Sequence, residues 1–176
     1  MRSAVDREIR DLIHKNGRIT FAQFMQTCLY SPRGGFYSSR ANGISAHFRT
    51  SATGHPVFGA LVALQLQQMW RLLGAPAVFH VIEVGSGDGA LAYSIVDACS
   101  RLYPRFAKSI KYVATDYEPR GLQTPDETFN WYPGIAEDSP SRQVIVSNIQ
   151  RVKGEGLRAI RNVVGCILSN ELIDNF

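Results

Sequence analysis

No stretch of the sequence approaches the roughly 18 consecutive apolar residues that a membrane-spanning helix needs, so no membrane anchor is expected. The first 15 residues lack the apolar core of a secretion signal. Asp6, Glu8 and Asp11 are also out of place in an organelle transit peptide, which makes a cytoplasmic location the expectation. Cysteine is scarce. Cys28, Cys99 and Cys166 are odd in number and far apart, which excludes a disulfide framework and a cysteine metal cluster. Each lies in an apolar stretch, where a free thiol behaves as a small hydrophobe. His14, His47, His55 and His80 form no pair at helical spacing, and no metal is expected. Charge of one sign is lacking too: 19 Lys and Arg stand against 15 Asp and Glu. The basic residues are dispersed from Arg2 to Arg161 rather than gathered into a stripe, so nucleic acid is not an expected partner.

What is present suits a globular fold. Hydrophobic residues make up 45% of the 176 and charged residues 19%, enough to bury a core over the length of one ordinary domain. Val5, Ile9, Leu12 and Ile13 recur at helical spacing and stop at Asn16-Gly17. Thr20 and Gln23 then have capping-box spacing, with Phe21, Phe24, Met25, Cys28 and Leu29 on one face of a second helix. Ser31-Pro32-Arg33-Gly34-Gly35 reads as a turn, followed to His55 by a long irregular connection. Pro56 opens a third helix. Its expected core stripe is Phe58, Val62, Leu66, Met69 and Leu73, and Gly74-Ala75-Pro76 ends it.

Val78 to Val84 reads as a buried strand, Leu91 to Leu102 as a helix, and Ile110 to Ala114 as a second strand closing on Thr115-Asp116. The polar segment from Glu118 to Arg142, with Pro119, Pro125, Pro133 and Pro140, suggests no element. A short third strand is expected at Val144 to Val146, a helix over Leu157 to Val163, and a further strand from Val163 to Leu168 that meets Asn170-Glu171. Strands alternating with helices around a glycine turn imply an α/β fold with a parallel, doubly wound sheet and a helical N-terminal extension.

The most informative segment is Glu83-Val84-Gly85-Ser86-Gly87-Asp88-Gly89. Glycines at alternate positions directly after an apolar strand allow both a tight turn and close approach of backbone to a ligand. Gly85 to Ala90 also satisfies the dinucleotide pattern G-x-G-x-x-A, which leaves a nicotinamide oxidoreductase as an alternative. Glu83 ahead of the loop and Asp88 within it oppose that alternative, because a pyrophosphate would meet negative charge where a helix N-terminus should receive it. S-adenosylmethionine carries a sulfonium and an ammonium and no phosphate, and an acidic glycine loop suits it.

The loop resembles the first motif of class I methyltransferases. That resemblance implies that Glu83 serves the methionine end of the cofactor, that Gly85 and Gly87 admit its backbone, and that Ser86, Asp88 and Gly89 complete the cradle. Asp116 at the end of the second strand is the candidate acceptor for both ribose hydroxyls, with Glu118 as the alternate. The order of motifs along the chain is more specific still and is similar to the MidA-like methyltransferases, which include a mitochondrial complex I assembly factor. The matching stretches are Gly17 to Met25, Cys28 to Pro32, Gly35 to Ser38, Phe48, Thr50, Pro56 to Gly59, the glycine loop, and Ser169 to Asp174.

This likeness implies a Rossmann-like sheet over residues 76–176 behind an extension over residues 1–75, and transfer of a methyl group to a protein, with arginine as the acceptor. Two stretches depart from the family pattern: Ala46-His47-Phe48-Arg49-Thr50 stands for Gly-Asp-Phe-Tyr-Thr, and Ala52 to His55 for Pro-Glu-x-Ser. A catalytically degenerate binding or assembly module is therefore the alternative. A class I sheet has seven strands and the sequence reaches about four, so a fragment, or a chain whose open sheet edge pairs with an oligomer or partner, is expected.

Methyl transfer depends mainly on alignment of acceptor and methyl group. A guanidinium acceptor needs a carboxylate to orient its fork. Asn170, Glu171 and Asp174 follow a strand at its carboxyl end, where ligands gather in open α/β sheets, and are the catalytic candidates. Glu171 would bind the acceptor and Asn170 orient it. Tyr30, Tyr37 and Thr50 are candidates for lining the substrate site.

Overall fold

The computed structural model describes residues 3–38, 55–87, 89–116, 149–153 and 160–172, with backbone alone for 151–153. The chain divides into two compact units, Met1–Arg49 with Ile173–Phe176, and Thr50–Leu172. The expected boundary lay at residue 75; here the helix that begins at Pro56 falls within the sheet-bearing unit.

The first unit contains α1 (Ala4–Asn16) and α2 (Phe21–Tyr30). Ser3 Oγ accepts the Asp6 N–H at 3.0 Å, and α1 stops at Gly17, whose φ of 77° suits glycine. The capping box on α2 is complete: Thr20 Oγ1 accepts the Gln23 N–H at 3.1 Å, and Gln23 Oε1 accepts the Thr20 N–H at 2.9 Å. Ser31 Oγ donates to Glu8 Oε2 at 2.6 Å, tying the end of α2 to α1. In the turn that follows, a Cβ on Gly35 would meet the backbone of Leu29, Tyr30 and Ser31, so the turn closes only with glycine there.

The second unit is a four-stranded parallel sheet in the order β3-β2-β1-β4. Its strands are β1 (Phe79–Val84), β2 (Ile110–Asp116), β3 (Ile149–Lys153) and β4 (Gly165–Ser169). Helix α3 (Pro56–Leu72) precedes β1, α4 (Ala90–Leu102) makes the crossover to β2, and a short α5 (Pro104–Ala107) completes it. Phe79, Val81, Tyr112 and Ala114 on one sheet face form a continuous core with Ala63, Leu66 and Trp70 of α3 and Leu91, Ile95 and Cys99 of α4. Alternation along the strands sends Ile82 and Val113, both buried, to the opposite face.

One expectation is corrected and one is extended. The expected stripe of α3 is present, with Leu66 buried and Phe58, Val62 and Met69 packed against the core, but Leu73 is exposed and Gly59, Ala63, Gln67 and Trp70 are buried as well. Close packing widens the buried face: any Cβ on Gly59 would run into Ser94 of α4, so a small residue there lets the neighbouring helix approach. The strand beside β2 is Ile149–Lys153, whereas Val144 to Val146 lie outside the described residues. Residues 160–163, expected as the end of a helix, are irregular, and Asn162 has a φ of 52° that a helix cannot hold. α5, unforeseen, places Phe106 between Trp70 and Phe79, with ring centroids 5.5 Å from each.

Candidate functional site

The carboxyl ends of β1, β2 and β4 lie side by side, because β1 pairs with β2 from Phe79↔Ile110 to Val84↔Thr115 and with β4 from His80↔Gly165 to Val84↔Ser169. The connection from β1 leaves toward β2 while β4 arrives on the other side, so the crevice for a ligand opens over β1. The glycine loop leaves β1 at that point.

The loop is gripped by β2. The Thr115 carbonyl accepts the Gly85 N–H at 2.9 Å and the Ser86 N–H at 3.0 Å, and Asp116 Oδ2 accepts the Gly87 N–H at 2.8 Å. The Gly89 N–H closes the turn on the Ser86 carbonyl at 2.8 Å. Gly85, Gly87 and Gly89 have φ of 76°, 55° and 86°, a region costly for residues with a Cβ. Their surroundings differ. A Cβ on Gly85 would meet Leu172 Cδ1 at 2.6 Å, whereas one on Gly87 would meet nothing within 4 Å. Gly85 therefore seats Leu172, and the open backbone beside a ligand space is that of Gly87. Gly89 is the N-cap residue of α4 and, having no side chain, makes no side-chain cap hydrogen bond.

Two carboxylates flank this loop. Asp116 is half-buried at the end of β2. Glu83, only 3% exposed, lies beneath the loop and accepts a hydrogen bond from Tyr112 Oη at 2.9 Å. Burial, with the Glu83 charge adding to it, pushes the Tyr112 hydroxyl well above the ordinary tyrosine range, so it stays a donor. A hydrogen bond to a charged acceptor of this kind contributes on the order of 1.5–3 kcal/mol.

Beyond β4 the chain turns through Asn170 and Glu171, and Leu172 packs on Gly85. Asn170 is half-buried and Glu171 exposed. Glu171 has a φ of 51°, a strained conformation for a residue with a side chain.

The structure thus brings together Glu83, Gly85, Ser86, Gly87, Gly89 and Asp116, and sets Leu172, which follows Asn170 and Glu171 in the chain, against Gly85 of the same loop. Asp88, Thr50, Glu118 and Asp174, with His47 and Arg49, lie outside the described residues. In the first unit the Tyr30 and Tyr37 rings stack on each other with centroids 5.5 Å apart. Sequence reasoning missed Tyr112, Thr115 and Leu172. Tyr112 had one signal, a hydroxyl in an otherwise apolar strand, which must find a partner when buried. No group of three metal-ligating side chains occurs among the described residues, and no helix there is long and apolar enough to cross a membrane.

Comparison with known proteins agrees with this geometry. Residues 61–176 match the family described as "Putative S-adenosyl-L-methionine-dependent methyltransferase". The chain is similar to the "Protein arginine methyltransferase NDUFAF7 homolog, mitochondrial" of Drosophila melanogaster, 32% identical over 96 residues, which are 54% of this chain and 22% of that protein. Protein arginine methyltransferase NDUFAF7 of Bos taurus is 34% identical over 98 residues, again 22% of its length. The chain thus matches about a fifth of the length of these curated relatives. A solved structure of a COG1565 superfamily member and likely methyl transferase from Burkholderia thailandensis, bound to S-adenosyl-homocysteine, superposes with a TM-score of 0.63 at 22% identity. The superposition covers 85% of this chain and 36% of that one, and it shows a shared fold.

Proposed function

The chain belongs to this S-adenosyl-L-methionine-dependent methyltransferase family, and from that premise we propose that its glycine loop binds the cofactor and directs its methyl group to a protein arginine. The observation that carries the reading is the clasp of the loop by β2, with Asp116 holding Gly87 at 2.8 Å and open space beside the Gly87 backbone. The residues fit the cofactor. Asp116 stands on the β2 side, where a carboxylate can accept ribose hydroxyls. Glu83 stands beneath the loop at the root of the crevice, where its charge suits an ammonium.

When bound, S-adenosylmethionine supplies an electrophilic methyl group on a sulfonium. Gly87 leaves room for the ligand chain. Glu171 and Asn170, at the end of β4, hold and orient the acceptor guanidinium, and Glu171 takes up the proton that the methylated nitrogen sheds. In this reading Asp88 serves the cofactor, and Tyr30, Tyr37, Thr50 and Asp174 remain candidates for contact with the substrate. Arginine as acceptor is supported by the names of the curated relatives. Three free cysteines fit a reducing, cytoplasmic setting.

Calorimetric titration with S-adenosylhomocysteine and with NAD tests the cofactor assignment. Binding of the first, lost in Gly87→Val, is expected; binding of NAD alone rejects it. Incubation with methyl-tritiated cofactor and a protein extract, followed by amino-acid analysis, tests the acceptor. Label in methylarginine is expected, and label confined to other residues rejects arginine.

A further inference from the structure

Tyr112 is a neighbour of Glu83 by design of the sheet. Its register partner on β1 is Val81, two residues before Glu83, so both side chains leave the same face. The register partner of Glu83 itself is Ala114, a side chain too small to fill the space beside the carboxylate. The phenol of Tyr112 leans one step toward the carboxyl ends and fills it, ending 2.9 Å from Glu83 Oε2. Tyr112 is wholly buried in the core cluster that includes Phe79, Val81 and Cys99, so its orientation is set by the core. A buried polar pair of this kind rarely improves on an apolar pair for stability alone. Its place at the root of the glycine loop, two residues before Gly85, gives it another use.

We propose that Tyr112 is a positioning residue for the amino-acid end of the cofactor: its hydroxyl holds the Glu83 carboxylate in the orientation that receives the ligand ammonium. This rests on the cofactor reading given above. Tyr112 touches no ligand; it acts through Glu83, as outer partners commonly orient a binding group. Its proton stays in place because burial pushes the hydroxyl well above its usual range.

The test compares two probes on the full chain by calorimetry: S-adenosylhomocysteine, which has the amino-acid end, and 5′-methylthioadenosine, which lacks it. Tyr112→Phe is expected to weaken the first about tenfold and to leave the second within about twofold, as loss of one bond to a charged group implies. Equal weakening of both probes marks a purely structural residue and overturns the proposal, as does unchanged affinity for S-adenosylhomocysteine. Should Tyr112→Phe fail to fold, the unmutated chain labelled at the tyrosine ζ-carbons gives the same decision by NMR. The Tyr112 resonance is expected to move with S-adenosylhomocysteine and to stay put with 5′-methylthioadenosine; no movement with the former overturns the proposal. A wild-type chain that binds neither probe removes the cofactor reading itself, and this proposal with it. Wild-type binding with an unaltered ratio in Tyr112→Phe removes this proposal alone.

Discussion

Asp116 Oδ2 accepts the Gly87 N–H at 2.8 Å, so the carboxylate at the end of β2 and the middle of the glycine loop move as one piece. A ligand that engages Asp116 therefore meets a loop already in place. Asp116→Ala is expected to weaken S-adenosylhomocysteine binding by roughly ten- to a hundredfold, because it removes a charged acceptor and releases the loop together. Asp116→Asn, which keeps an oxygen for Gly87, is expected to lose less. Equal losses in calorimetry would show that the loop clasp contributes nothing beyond the charge.

Gly85 and Gly87 separate two kinds of damage. Gly85→Ala drives a methyl into Leu172 and strains a φ of 76°, so it is expected to lower the melting temperature through a cost of roughly 1–3 kcal/mol. Gly87→Ala meets no protein atom within 4 Å, and its cost to the fold is that of its φ of 55° alone. Its methyl occupies ligand space instead, so it is expected to lose affinity out of proportion to stability. Thermal melts with and without S-adenosylhomocysteine compare the two variants directly.

Glu171 holds a φ of 51° on an exposed turn. Glu171→Gly relieves that conformation at a gain of roughly 1–2 kcal/mol, partly offset by the larger entropy of an unfolded glycine. It is expected to melt above Glu171→Ala while losing methyl transfer to the same extent. A higher melting point for Glu171→Ala would show that the backbone there is relaxed.

Asp97 of α4 is 2% exposed and pairs with Arg101, while its Oδ1 finds no partner among the described residues. Burial raises its pKa above the usual 3.8, although the Arg101 charge and hydrogen bond pull the other way. The folded chain thus holds this proton more tightly than the unfolded one. Its contribution to stability is full below the unfolded value and is lost as pH rises through the raised folded value. Asp97→Asn is expected to gain stability relative to wild type as pH is raised from about 4 toward neutrality. Urea unfolding across that range measures the difference, and a gap that does not widen rejects the shift.

The legible parts of the fold were those decided within a few residues. Asn16-Gly17, the Thr20 and Gln23 pair, and the apolar run into Gly85 each carry their own stop or start signal, and each stands where the sequence puts it. Ile149–Lys153 carries no such signal: Ile-Gln-Arg-Val-Lys becomes a strand because β2 offers it an edge. The buried face of α3 is wider than its apolar stripe for a related reason, since Gly59 and Ala63 contribute little to an apolar pattern yet let α4 approach. In the site, Glu83, the three glycines and Asp116 announced themselves through one loop and one strand end. Tyr112 and Leu172 act through contacts made only when distant strands come into register, and no local pattern marks such partners.

β1 sits inside the sheet, and its second edge is covered only when β4 arrives, about 85 residues later in the chain. A ribosome that has released β1, α4 and β2 has delivered the glycine loop and its Asp116 clasp, but not the strand that walls the other side or the Leu172 that seats on Gly85. The nascent chain must hold a half-built sheet with an unpaired inner edge through that interval, when slow long-range pairing leaves strands open to wrong partners. The glycine loop and its clasp therefore precede in the chain the strand that completes the crevice over β1.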